Sequence, residues 1–112
     1  MPCASVRTST SPAPLRPGPT GRIVGVGDPA AQMRQIFRNI ARALDQAGAR
    51  LEDVVRTCIY VTDIGMWETV GREHAAVFGD IRPATSMVEV SRLIAPDILV
   101  EIEAEAFVAR RG

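Results

Sequence analysis

The chain has 112 residues, 46% hydrophobic and 23% charged, with 13 basic and 13 acidic side chains and a formal net charge of zero. That length suits one small domain, which buries only about two thirds of its unfolded surface and gains from an oligomeric partner. Balanced charge and 4% aromatic residues offer no field or stacking platform for nucleic acid, no run approaches the roughly 18 apolar residues of a membrane span, and two cysteines argue against a disulfide scaffold or a Cys-rich metal site, so a reduced, cytoplasmic setting is expected.

Residues 1–21 hold five of the eight prolines, many Ser and Thr, and no acidic residue. Proline removes backbone donors, and the segment has few large apolar side chains to offset the entropy of ordering it. It reads as a disordered tail, and residues 22–112 as the folded domain. From Arg22, GRIVGVGDP supplies a short apolar run that reads as a strand. Asp28 followed by Pro29 is a helix N-cap with proline at the first helical position.

The spacing predicts a helix over 29–47, with Met33, Ile36, Phe37, Ile40, Leu44 and Ala47 on one stripe and Gly48 as a left-handed stop. Residues 54–62, rich in β-branched side chains, read as a buried strand. Asp63 opens a second helix over 65–78 that carries Trp67, Val70, His74, Val77 and Phe78, with Gly79 at its end. Residues 84–91 and 98–108 are two further strands, expected as an antiparallel hairpin across RLIAPD. The order strand, helix, strand, helix, strand, strand gives an α+β fold whose helices share one face of the sheet. Val100, Ile102, Ala104, Ala106 and Val108 then face the helices, and Glu101, Glu103 and Glu105 face away.

Most of the chemically suggestive residues have plain readings. Gly21, Gly25 and Gly27 fit neither phosphate-loop pattern and read as a turn. His74, the single histidine, reads as a packed helix residue, because no second His and no Cys or carboxylate cluster supplies triad or metal spacing. Cys58 reads as an inert buried thiol, and Trp67 as core or interface. The glutamate row reads as a wet surface, a subunit interface or part of a site.

Three blocks in order, NIARALDQAGARLEDVVRTCIYVTD, RPATSMVEVSRL and LVEIEAEAF, resemble the RidA/YjgF family of reactive-intermediate deaminases, also labelled endoribonuclease L-PSP. The resemblance covers about residues 22–108. It implies a chorismate-mutase-like fold, a mixed sheet with two helices on one side, assembled as a homotrimer with a small-molecule ligand in each cleft between subunits. No cofactor, metal, nucleic-acid partner or membrane partner is expected. In the family's best-known branch an arginine grips the substrate carboxylate and a glutamate positions water that hydrolyses an imine, releasing ammonia. The resemblance places that glutamate at Glu101, the catalytic candidate, and the ligand-contacting stretch at Thr85, Ser86 and Met87.

This sequence departs from the family at three places. Thr85 stands at the arginine position, and a hydroxyl cannot replace a charge-assisted hydrogen bond worth roughly 1.5 to 3 kcal/mol. Met87 replaces a frequent cysteine, and Gly71 a frequent asparagine. The tail carries neither of the strand motifs that members contribute to the cleft, so the N-terminal strands are expected to be missing, through truncation, a misassigned start or a frame change. Two functions are expected on this basis. One is 2-iminobutanoate/2-iminopropanoate-deaminase-like hydrolysis of a small imine or enamine, with Thr85 and Ser86 suiting a neutral or differently charged ligand. The other is a non-catalytic trimeric module that binds a small metabolite. Ribonuclease activity, attributed to some members, is disfavoured by the charge balance.

Overall fold

The computed structural model describes residues 3–8 and 25–108. Helix α1, Pro29–Gln46, begins on the residue that the sequence nominates and ends one residue before the expected Ala47. Asp28 is extended, its Oδ1 accepts the Ala31 N–H at 3.1 Å, and Pro29 follows it. At the other end Gly48 has φ 79°; its N–H donates to the Asp45 carbonyl at 3.1 Å and the Ala49 N–H to the Leu44 carbonyl at 2.8 Å, a Schellman turn. The turn folds Ala49 into the core and leaves Ala47, expected on the stripe, exposed. A Cβ at residue 48 would meet nothing within 4 Å, so Gly48→Ala isolates the cost of the left-handed backbone, expected at about 1 kcal/mol in urea unfolding.

Strand β2, Val54–Val61, is the spine of the sheet. Val54 pairs with Ala106 and Arg56 with Glu105, which leaves Val55 as an extra, exposed residue of a bulge. Beyond it Thr57, Ile59 and Val61 face the helices and Arg56, Cys58 and Tyr60 the opposite side. A single 3₁₀ turn, Ile64–Met66, capped by Asp63 Oδ1 on the Gly65 N–H at 2.8 Å, leads into helix α2, Trp67–Phe78. Val70 and Phe78 of α2 are buried, and the Phe37 and Phe78 rings meet edge to face at 5.5 Å. Trp67 is 57% exposed and lies outside the core of the single chain.

The remaining strands are β1, Cys3–Thr8; β3, Ala84–Glu89; and β4, Val100–Phe107. The sheet order is β1-β4-β2-β3, with β3 parallel to β2 across α2, and β4 antiparallel to both β2 and β1. One core cluster joins Met33, Ile36, Ile40 and Leu44 of α1 to Ile59, Val61, Val100, Ile102, Ala104 and Ala106. The alternation in β4 falls as the sequence reads, buried apolar residues on one side and half-exposed Glu101, Glu103 and Glu105 on the other.

Three expectations change. The reading of residues 1–21 as a disordered tail does not hold for Cys3–Thr8. Ala4 and Val6 alternate with Ser5 and Arg7, pack on the core and give β4 its second neighbour. Residues 9–21 lie outside the described residues. The strand expected from Arg22 is a turn where it is described, with the Asp28 N–H on the Gly25 carbonyl at 2.8 Å; residues 22–24 lie outside the described residues. The described segments before α1 thus supply one strand where the resemblance implies a pair.

The expected hairpin of the last two strands is absent, because β2 lies between them. The connection through residues 90–99 is long enough to cross the end of β2. The Val90 N–H donates to the Val61 carbonyl at 2.8 Å and the Thr62 N–H to the Leu99 carbonyl at 3.1 Å, one bond on each side of that end.

Candidate functional site

Alternation along four strands builds the open face of the sheet. Tyr60 is opposite Glu101, Cys58 is between Glu103 and Ser86, Arg56 is opposite Glu105, and Arg7 is opposite Glu103. Charges alternate along this face. Arg7 Nε donates to Glu101 Oε1 at 2.8 Å, while Glu103 lies 3.8 Å from both Arg7 and Arg56. Arg56 Nη1 is 3.2 Å from Glu105 Oε1. The Arg7 guanidinium carbon is 5.1 Å from the centre of the Tyr60 ring. The glutamate row is therefore neutralised in large part by arginines of both neighbouring strands, and Glu105 is paired rather than merely wet.

Glu101 is the least exposed of the three glutamates. Its side chain is 21% exposed, and the ion pair engages Oε1. The hydrogen bond to Glu101, reinforced by its charge, raises the Arg7 pKa further above the ordinary guanidinium value. On the neighbouring strand the hydrogen bond with Cys58 pushes the Tyr60 phenol up. Cys58 itself is free and 7% exposed, as read from the sequence.

The four predicted site residues do not converge within one chain. Glu101 and Ser86 share the open face, separated by β2. Thr85 pairs with Thr57 and Met87 with Ile59, so both point to the helix side. Met87 packs half-buried against the core, whereas Thr85 is exposed at the sheet edge. Thr85 Oγ1 donates to the Pro83 carbonyl at 3.1 Å and lies 2.9 Å from Thr57 Oγ1, which in turn is 2.9 Å from His74 Nε2. A surface groove of about 560 Å³ between α1 and α2, lined by residues such as Arg34, Phe37, Glu73 and Val77, contains none of the four.

His74 is half-buried beside Phe37 and Phe78, at ring distances of 6.1 and 4.9 Å, and this burial lowers its pKa from the usual value. The folded state therefore binds the proton less well than the unfolded chain, whose histidine titrates near 6.5. Stability is full above that pH and is lost as the pH falls through and below it. Thermal unfolding between pH 8 and 5 is expected to show a drop in Tm that His74→Phe flattens.

Two residues of this region escape the sequence reading. Arg7 sits in a stretch dominated by its prolines, and its only signal is the alternation of residues 4–8. Gln32 is fully buried on α1; Nε2 donates to the Gly25 and Asp97 carbonyls at 3.1 and 2.8 Å, and Oε1 accepts the Leu99 N–H at 2.8 Å. It thus fixes the entry to β4, two residues before Glu101. Its position one turn before Ile36 is the signal that it belongs to the apolar stripe. Among the described residues no group of three His, Cys, Asp or Glu side chains could hold a metal ion, and no helix is long and apolar enough to cross a membrane.

Comparison with known proteins places this architecture. The family model described as endoribonuclease L-PSP matches residues 12–108. A RutC family protein of Pyrococcus horikoshii is 42% identical over 88 residues, covering 79% of this chain and 68% of the relative. The 3-aminoacrylate deaminase RutC of Acinetobacter baylyi is 37% identical over 77% of this chain and 68% of its own. The 2-iminobutanoate/2-iminopropanoate deaminase of Escherichia coli is 39% identical over 70% of this chain, which spans 63% of that enzyme. Among solved structures, Rv2704 of Mycobacterium tuberculosis, a member of the YjgF/YER057c/UK114 family, superposes with a TM-score of 0.78 at 52% identity, over 96% of this chain and 80% of that one. The mixed sheet, its two helices and these relatives agree, and the chain belongs to the RidA/YjgF family of imine deaminases, the family described as endoribonuclease L-PSP.

Proposed function

We propose that the protein is a homotrimeric, cytoplasmic hydrolase of a small imine or enamine, converting it to a carbonyl compound and ammonia without a cofactor, in clefts between subunits. The observation that carries this reading is the placement of Glu101, a half-exposed carboxylate on an open sheet face, anchored by Arg7 through one oxygen. The other oxygen is assigned to water. Glu101 takes a proton as the water oxygen adds to the imine carbon, then returns it to the nitrogen. The carbinolamine collapses as its hydroxyl proton passes through Glu101 to the nitrogen, the C–N bond breaks, and ammonia leaves with the carbonyl left behind. Deaminases acting on 3-aminoacrylate and on 2-iminobutanoate or 2-iminopropanoate among the relatives support this chemistry.

The split of the candidates over two faces supports assembly. Thr85 on the helix side of edge strand β3 and Glu101 on the open face meet only when a second copy brings its own face to that edge. The test is ammonia release from a panel of small imines, generated in situ, by wild type and Glu101→Gln. Turnover that depends on Glu101 supports the reading, and equal rates remove Glu101 from the mechanism. A second reading, a non-catalytic trimeric metabolite-binding module, is favoured by one observation: Thr85 stands where the resemblance implies the carboxylate-gripping arginine. It predicts a ligand-dependent rise in Tm with no turnover.

A further inference from the structure

The hydrogen bonds that end at Thr85 have a direction. His74 Nε2, Thr57 Oγ1, Thr85 Oγ1 and the Pro83 carbonyl follow one another at 2.9, 2.9 and 3.1 Å. A hydroxyl has one proton and two lone pairs, and a carbonyl only accepts. Thr85 therefore gives its proton to Pro83, Thr57 must give its proton to Thr85, and His74 must carry hydrogen on Nε2 and donate to Thr57. Any other assignment leaves one of the three contacts with two acceptors and no proton between them. Protonated His74 also donates at Nε2, so the direction survives a change of charge on the ring. With one lone pair filled by Thr57 and the proton committed to Pro83, Thr85 turns a single lone pair outward, on an exposed edge strand.

We propose, building on the inter-subunit cleft described above, that Thr85 sets the ligand class as a hydrogen-bond acceptor, so that the cleft takes a neutral molecule presenting an N–H or O–H at this position and rejects a carboxylate there. An arginine has five donors and no acceptor. Threonine at this position inverts the polarity of recognition rather than weakening it. A carboxylate facing Thr85 would set acceptor against acceptor, and turning the hydroxyl round to donate would give up the bond to Pro83.

Pyruvamide and pyruvate test this, because they share a skeleton and differ in presenting an amide NH₂ or a carboxylate. Calorimetric titration of the full chain is expected to show pyruvamide binding about tenfold more tightly, the scale of one hydrogen bond made or left unmade. Thr85→Ser should keep that preference, Thr85→Val should erase it, and Thr85→Arg should reverse it. Pyruvate binding wild type as well as pyruvamide, or a preference that survives Thr85→Val, overturns the inference. If Glu101-dependent ammonia release from imines persists in that case, only the polarity of Thr85 is wrong. Binding of neither probe, together with no Glu101-dependent turnover, overturns the cleft and the inference with it.

Discussion

Glu101→Gln is expected to lower ammonia release from small imines at least about 100-fold, the lower end of what a positioned general base contributes, while the fold is retained. Glutamine keeps the shape of the side chain and an oxygen for Arg7 Nε, now 2.8 Å from Glu101 Oε1. It removes the basic oxygen proposed to take the proton from water. Because the ion pair is solvent-accessible on the Arg7 side, its loss moves stability little, and unfolding curves of the two proteins should nearly coincide. Activity and stability thus separate at this residue. A rate loss accompanied by an equal loss of folded protein would assign Glu101 a structural part instead. Arg7→Ala supplies a complementary outcome, a smaller rate loss with KM and kcat both altered, because it frees the Glu101 carboxylate to swing without deleting it.

Gln32→Leu is expected to have the largest effect on stability of any single polar substitution among the described residues, about 3 kcal/mol or more. The side chain is fully buried and makes three hydrogen bonds to backbone groups of two different segments, and each partner left unpaired in the interior costs about 1 to 3 kcal/mol. In a domain of this size the change corresponds to a fall in Tm of about 12 °C. Gln46→Leu, on an exposed position of the same helix, is the control and should stay within about 0.5 kcal/mol. Equal midpoints for the two variants in urea would show that the turn at Gly25 and the entry to β4 hold without Gln32. Loosening that entry also moves Glu101, so ammonia release by folded Gln32→Leu should fall.

The sequence carried the parts of the fold that local chemistry decides. Asp28, Pro29 and Gly48 mark the ends of α1 because a cap acceptor, a missing N–H and a left-handed backbone are each satisfied by few residue types. The alternation of β4 set Glu101 on the open face, since one face must be apolar to meet the helices. Strand order was not legible in the same way. Whether β3 and β4 pair directly depends on where residues 90–99 travel, and turn residues such as Pro96 and Asp97 are compatible with a hairpin or a crossover. Residues 3–8 were hidden by the prolines that follow them, although Val6 and Arg7 find an apolar and a charged neighbour on opposite sides of the strand. The site was half legible: similarity named Glu101 and Thr85, but only coordinates show that they lie on opposite faces of one sheet and that the Thr85 proton is already committed.

That opposition makes the assembly the central claim, because the carboxylate proposed for catalysis and the hydroxyl proposed to select the ligand lie on opposite faces of one sheet and are brought to one cleft by a second copy of the chain. Light scattering on the purified, ammonia-releasing protein tests it most directly. The predicted result is a particle of about three times the chain mass of 12.1 kDa, and a fully active species at the mass of a single chain would contradict it.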